Sequence, residues 1–218
     1  MIEAIIFDLD GTLLDTVSDL ASSLNQALKE IDHQTYSDEE VMGFVGNGVR
    51  RLVDLALNER ASNKEIDQVL ERFQMHYSEL YNDKTKPYDG IVDVVYKAKE
   101  LGFALGVCSN KPNVYVQQLI AKHFKEDTFD FVLGEVDFID RKPAPDMALE
   151  VAANLGVDPR NCLFVGDSIV DVQTAKNANM PVCAVTYGFQ SEEKLLSENP
   201  EYTVHDVHGV LKIIEALA

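Results

Sequence analysis

Two aspartates separated by one residue, Asp8 and Asp10, close an apolar run, Ala4-Ile5-Ile6-Phe7, near the start of this chain. The run predicts a β-strand. Side chains alternate faces along a strand, so both carboxylates project to the same side. Paired carboxylates at the mouth of a sheet can hold Mg²⁺, and they form an acid/base pair when one ionises more readily than the other. A carboxylate can also attack phosphorus and form an aspartyl-phosphate. A lone aspartate at a strand end is commonly just a solvated acid, but three further segments accompany this one.

The second segment is Val107-Cys108-Ser109-Asn110-Lys111-Pro112. It places a hydroxyl and backbone N–H groups just past a strand and ahead of a helix, a setting that suits an anionic oxygen. The third is Arg141-Lys142-Pro143-Ala144-Pro145-Asp146. Its prolines fix the backbone around Lys142, and Pro145 suits the first turn of a helix. A lysine held this way can neutralise charge between a carboxylate and a phosphoryl group. The fourth is Phe164-Val165-Gly166-Asp167-Ser168-Ile169-Val170-Asp171, with Asp167 at a strand tip and Asp171 where a helix begins. Mg²⁺ takes oxygen ligands and commonly uses one or two carboxylates plus water and phosphate. Asp8 and Asp167 supply such a pair, with Asp171 placed to orient the ligands.

Positioning these groups requires a sheet. Apolar strand-like runs recur at 2–9, 104–109, 131–134, 162–166 and 182–186, with a weaker one at 202–204. Helical patterns at 91–101, 114–123, 146–155 and 172–178 lie between most of them. Strands alternating with helices at this spacing predict parallel βαβ units, hence a doubly wound α/β sheet of Rossmann-like type. Ligands in such sheets bind at the carboxyl ends of the strands. Residues 16–86 break the alternation. Leu20, Leu24, Ala27, Leu28 and Ile31 recur at helical spacing, as do Val49, Leu52, Val53, Ala56 and Leu57, and then Ile66, Val69, Leu70, Phe73, Tyr77, Leu80 and Tyr81. The expected organisation is a core of residues 1–15 and 87–218 with an inserted all-helical domain at 16–86. Segments 83–87 and 15–16 form the hinge, so the insert is placed to act as a lid. Within it, Gly46-Asn47-Gly48-Val49-Arg50-Arg51 puts a flexible backbone patch at a helix start, where Asn47, Gly48 and Arg50 can grip a second anion such as a carboxylate.

Composition narrows the function. The formal net charge is −18, from 19 basic and 37 acidic residues, a field that disfavours nucleic acid and anionic membrane. A phosphate ester is repelled by it at long range, so a metal and local cations must reverse the sign at the site. No apolar run approaches the roughly 20 residues of a membrane span. The start, Met1-Ile2-Glu3-Ala4, lacks the basic region of a signal peptide, and a cytoplasmic location is expected. Cys108, Cys162 and Cys183 lie in apolar runs without metal-ligand spacing and read as buried thiols. None of the five histidines takes a catalytic role; His76 reads as a packed helix residue, and Tyr187 and Phe189 could line the site or simply pack.

Together the four segments resemble the motifs of the haloacid dehalogenase superfamily. Asp8-Leu9-Asp10-Gly11-Thr12 matches the first, Ser109 the second, Lys142 the third, and Gly166-Asp167-Ser168 with Asp171 the fourth. The helical insert resembles that superfamily's C1-type cap. Dehalogenases lack an aspartate two residues after the nucleophile, so Asp10 points to phosphate esters. The resemblance implies that Asp8 attacks phosphorus, and that Asp10 protonates the leaving oxygen and then activates water. It implies Mg²⁺ held by Asp8, the backbone carbonyl of Asp10 and Asp167, with Ser109 and Lys142 on the phosphoryl oxygens. Thr12 and Asn110 join the substrate-binding set.

The Gly-Asn-Gly-Val-Arg stretch, Asn110-Lys111-Pro112 and Val185-Thr186-Tyr187-Gly188 further resemble phosphoglycolate phosphatases. The implied activity is Mg²⁺-dependent hydrolysis of a small phosphate ester, 2-phosphoglycolate first, by a monomer or homodimer. Alternatives are a pyrophosphatase or nucleotidase of the same family, a β-phosphoglucomutase-like phosphotransferase, and a non-catalytic Mg²⁺-binding regulator.

Overall fold

The apolar runs at 4–7, 162–166 and 182–185 become strands buried from end to end, as parallel strands covered on both faces must be, while those at 131–135 and 202–204, at the sheet edges, are buried only in part. The computed structural model describes all 218 residues, Met1–Ala218. In chain order the strands are β1 (Ala4–Phe7), β2 (Leu14–Asp15), β3 (Lys86–Pro87), β4 (Ala104–Pro112), β5 (Phe131–Glu135), β6 (Cys162–Gly166), β7 (Val182–Val185) and β8 (Tyr202–Val204). The helices are α1 (Val17–Lys29), α2 (Asp38–Met42), α3 (Val49–Ala56), α4 (Asn63–Leu80), α5 (Ile91–Glu100), α6 (Asn113–His123), α7 (Asp146–Leu155), α8 (Ile169–Asn177), α9 (Glu192–Ser197) and α10 (Val207–Leu217). The chain forms two compact units, Met1–Leu14 with Pro87–Ala218, and Asp15–Lys86.

The first unit carries a six-stranded parallel sheet in the order β5-β4-β1-β6-β7-β8. It is the expected doubly wound α/β architecture. Phe7, the last residue of β1, lies in register with Val107 of β4 and Val165 of β6, so β1 and β6 end within a residue of each other while β4 runs on. The chain leaves β1 toward β4 and β5, then returns to the opposite side at β6. That reversal opens a crevice at the carboxyl ends of β1 and β6, where doubly wound sheets bind ligands. Ala4 and Ile6 share one buried cluster with Met147, Ala148 and Val151 of α7 and Val172 and Ala175 of α8. Phe7, pointing to the other face, meets the edge of Phe129 with ring centroids 6.4 Å apart.

Two local expectations need correction here. The second apolar run does not stop at Ser109. β4 continues to Pro112, which pairs with Glu135 across a shift in register after Cys108. Ser109, Asn110 and Lys111 therefore stand on a bulged strand rather than on a loop. In addition, α9 and α10 complete the unit although the helical patterns read from the sequence stop at residue 178.

The second unit is helical. Leu20, Leu24, Ala27 and Leu28 of α1, Leu52, Val53 and Ala56 of α3, and Ile66, Val69, Phe73 and Tyr77 of α4 are buried, following the helical period. Ser37 and Ser62 cap α2 and α4 with reciprocal side-chain bonds to Glu40 and Glu65, as capping boxes do. Ile31 departs from its expected stripe. The helix ends at Lys29, Asp32 turns the chain with φ of 54°, and Ile31 is 37% exposed. Lys86 also lies in a short strand, which the wholly helical reading of this stretch did not include. Asp19, buried in α1, accepts hydrogen bonds from Lys84 N (2.9 Å), Thr85 N (2.8 Å) and Thr85 Oγ1 (2.7 Å), which ties down the end of the unit. No helix of the chain is long and apolar enough to cross a membrane.

Candidate active site

Asp8 extends β1 by one residue, its N–H donating to the Val165 carbonyl at 2.9 Å. Its carboxylate is buried beside Lys142, whose Nζ lies 2.8 Å from Asp8 Oδ1, 2.6 Å from Asp171 Oδ1 and 3.0 Å from the Cys108 carbonyl. An ammonium has three N–H donors, and these acceptors match all three. Asn110 Nδ2 donates to the Lys142 carbonyl at 2.9 Å and so fixes the lysine's backbone. Burial, then Asp171, pushes the Asp8 carboxyl up to about 7, against the opposing pull of Lys142. Burial disfavours the Lys142 charge, but Asp171 and Asp8 outweigh it and raise its affinity for the proton.

Asp167 and Asp171 come from the end of β6 and the first turn of α8. Ser168 caps that helix, and Asp171 Oδ2 accepts from Ser168 N at 3.0 Å and Ser168 Oγ at 2.5 Å. Each Asp167 oxygen has a donor: Thr12 Oγ1 at 3.1 Å and Phe189 N at 2.7 Å. Burial, then Asp171 and Asp8, raises the Asp167 carboxyl well above its ordinary range. The approach is close enough to need glycine. A Cβ on Gly188 would sit 2.3 Å from both Asp167 Cβ and the Gly11 carbonyl, and Gly11, at φ +88°, would bring its Cβ within 2.3 Å of Asp167 Oδ2. Tyr187 OH donates to the Thr12 carbonyl at 3.1 Å, and its ring packs on Tyr88 with centroids 4.9 Å apart.

One ligand atom from each of Asp8, Asp167 and Asp171 lies within 4.8 Å of the others. The carboxylate of Asp10 is held elsewhere, by Lys111 Nζ at 2.6 Å. Four carboxylates and two ammoniums leave a surplus of two negative charges. Buried charge of that size requires compensation. The donors are all hard oxygens, with no imidazole or thiolate among them, which suits a cation such as Mg²⁺ or Ca²⁺. One divalent ion balances the count.

The structure brings together Asp8, Asp10, Thr12, Ser109, Asn110, Lys142, Asp167 and Asp171 of the sequence reading, all in the first unit. Ser109 is buried beside them, its Oγ accepting from Lys111 N at 3.3 Å. Asn47, Gly48 and Arg50 belong to the second unit, at the start of α3. The Arg50 guanidinium is taken up there by Asp67, and by Asn63 at 3.2 Å. His76 pairs with Glu30 at 2.6 Å. Two contributors play parts that the sequence does not assign them. Lys111 lies in the second segment without a role of its own, although a lysine within a buried strand run is itself a signal. Phe189 acts through its backbone N–H, which no residue type announces.

Comparison with known proteins agrees with this geometry. The family model for haloacid dehalogenase-like hydrolases matches residues 5–185, and the chain belongs to that family. A phosphoglycolate phosphatase of Haemophilus influenzae (strain 86-028NP) is 33% identical over 215 residues, covering 95% of this chain and 96% of its own. One from Colwellia psychrerythraea is 31% identical over 206 residues, covering 92% and 91%. A crystal structure from Lactobacillus delbrueckii subsp. bulgaricus superposes with a TM-score of 0.91 at 37% identity, covering 99% of this chain and 98% of that one.

Proposed function

We propose that this chain, a phosphatase of the haloacid dehalogenase-like hydrolases, hydrolyses a small phosphate monoester, 2-phosphoglycolate first, through an aspartyl-phosphate on Asp8. The observation that carries the reading is the buried Asp8 carboxylate, paired with Lys142 and grouped with Asp167 and Asp171 at the end of β1. The relatives named phosphoglycolate phosphatase support the choice of substrate.

An oxygen of Asp8 attacks phosphorus while the bond from phosphorus to the ester oxygen breaks. That oxygen takes a proton from Asp10 and leaves as the alcohol. Water then attacks the same phosphorus and gives its proton to Asp10. The bond to Asp8 breaks, inorganic phosphate leaves, and both aspartates are restored. Lys142 fixes Asp8 for the attack through its contacts with Asp171 and the Cys108 carbonyl. Ser109 offers a hydroxyl to the phosphoryl oxygens. Thr12 serves Asp167 rather than substrate, its hydroxyl donating to that carboxylate. Asp8, the Asp10 backbone carbonyl and Asp167 would hold Mg²⁺, which when bound offsets the repulsion between the carboxylate and the phosphate. The helical unit is assigned the part of the family's cap domain. The three buried free thiols support a reducing compartment, the cytoplasm, as the place of action.

The test is phosphate release, with and without chelator, from 2-phosphoglycolate, pyrophosphate, a nucleoside monophosphate, a sugar phosphate and an aryl phosphate. Chelator-sensitive release with 2-phosphoglycolate preferred is expected. Preference for another ester would replace the substrate and keep the chemistry; interconversion of sugar phosphates without release would favour a phosphotransferase. No turnover of any member would sink the proposal.

A further inference from the structure

The site contains a second buried cation whose placement bears on the alcohol part of the substrate. The Lys111 side chain is 3% exposed, and its Nζ lies 2.6 Å from Asp10 Oδ1. Lys142 lies on the nucleophile's side, bound to Asp8, Asp171 and the Cys108 carbonyl.

We propose that Lys111 determines specificity. It binds an anionic group on the leaving alcohol, so the favoured substrates are small phosphate monoesters with a carboxylate close to the ester oxygen. This rests on the reading above, in which Asp10 protonates that oxygen. A general acid stands about 2.6–3.2 Å from the atom it protonates. A cation 2.6 Å from Asp10 Oδ1 therefore lies within about 6 Å of the ester oxygen when that same carboxylate oxygen delivers the proton. In 2-phosphoglycolate one carbon separates the ester oxygen from the carboxylate, a span of about 3 Å at ordinary bond lengths. The ammonium and the carboxylate are thereby brought within ion-pair reach.

Charge points the same way. With Asp10 carrying the proton it donates, three site carboxylates face two ammoniums, and the single positive charge left by a divalent ion is already consumed by the phosphoryl group. On a chain of net charge −18, an extra carboxylate on the substrate needs a cation beside it. The arginine that the sequence suggested for this task, Arg50, is engaged with Asp67 and Asn63 in its own unit.

The experiment compares kcat/KM for 2-phosphoglycolate and 2-hydroxyethyl phosphate, which replaces the carboxylate by a CH₂OH group. Both esters need Asp10, so the ratio isolates the anion. Wild type is expected to favour 2-phosphoglycolate. Lys111→Met should lower the ratio about 10- to 100-fold, the range of one charge-assisted hydrogen bond, mostly through KM. Lys111→Gln, which keeps an N–H for Asp10 but no charge, should lower it likewise and serves if the methionine variant does not fold. An unchanged ratio, with both esters slowed alike, would mean that Lys111 acts only through Asp10 and would overturn the proposal. A ratio that collapses in Arg50→Ala but not in the Lys111 variants would also overturn it, moving the anion to α3. A wild type that prefers 2-hydroxyethyl phosphate would instead refute the substrate reading itself, before any variant is made.

Discussion

Stripping divalent cation from this protein should make its stability depend on pH in a way traceable to Asp8. Without cation, burial and then Asp171 lift its carboxyl from an ordinary 3.8 to about 7, despite Lys142. In the unfolded chain the group returns to its ordinary value. Between those values the folded state holds a proton that the unfolded state lacks, so stability falls as pH rises through the window. Below pH 3.8 both states are protonated and nothing is lost; above about 7 both are ionised and the full cost is felt. At about 1.4 kcal/mol per pH decade, and with the folded-state carboxyl half ionised at pH 7, roughly 2 kcal/mol of it appears between pH 5 and 7. For a chain of this size that corresponds to about 4–8 °C in Tm. Bound cation favours the ionised carboxylate and should cancel the loss, so stabilisation by Mg²⁺ should grow from pH 5 to 8. The assay is thermal unfolding with chelator or with Mg²⁺, for wild type and Asp8→Asn. The variant has no proton to lose there, so the difference between the two proteins carries the Asp8 response together with its effect on Asp167. A difference between the two proteins in chelator that stays flat from pH 5 to 8 would refute the reasoning.

Lys142→Met would leave Asp8 and Asp171 buried without their shared cation. It should cost about 3–5 kcal/mol in denaturant unfolding, the usual consequence of removing one partner of a buried pair; a loss under 1 kcal/mol would show that these acids need no compensation. Gly188→Ala would drive a Cβ to 2.3 Å from Asp167 and the Gly11 carbonyl. Titration calorimetry should then find Mg²⁺ bound at least tenfold more weakly, and unaltered affinity would separate the segment after β7 from the cation site.

Much of this site was legible because its chemistry sits where a periodic signal ends. Ala4–Phe7 is an unbroken apolar run followed by Asp8, and Cys162–Gly166 is another followed by Asp167. Parallel register then brings those ends to one level. The pairing of Asp171 with Ser168 also follows a local rule, the capping box. What stayed hidden depends on contacts between distant segments. The extension of β4 to Pro112 needs its pairing with Glu135, and Lys111 meets Asp10 only across 101 residues of chain. Phe189 contributes a backbone donor, available in principle from any residue but proline. Helix α10 carries buried Val210 and Ile214 at helical spacing, but Gly209 in its first turn weakens the pattern. The anion grip of Arg50 rests on a helix start and a local resemblance, whereas the acid that engages it, Asp67, comes from α4.

Trapping the covalent intermediate tests the central claim most directly. Asp10→Asn, which can neither supply nor accept the proton, should be mixed with Mg²⁺ and an aryl phosphate radiolabelled at phosphorus, whose leaving group needs no proton, then quenched in acid and digested, with wild type and Asp8→Asn in parallel. The expected result is hydroxylamine-sensitive label on the peptide bearing Asp8, persistent in Asp10→Asn, transient in wild type and absent from Asp8→Asn. Turnover by wild type with no label on Asp8 in any of the three, or label on another residue, would contradict it.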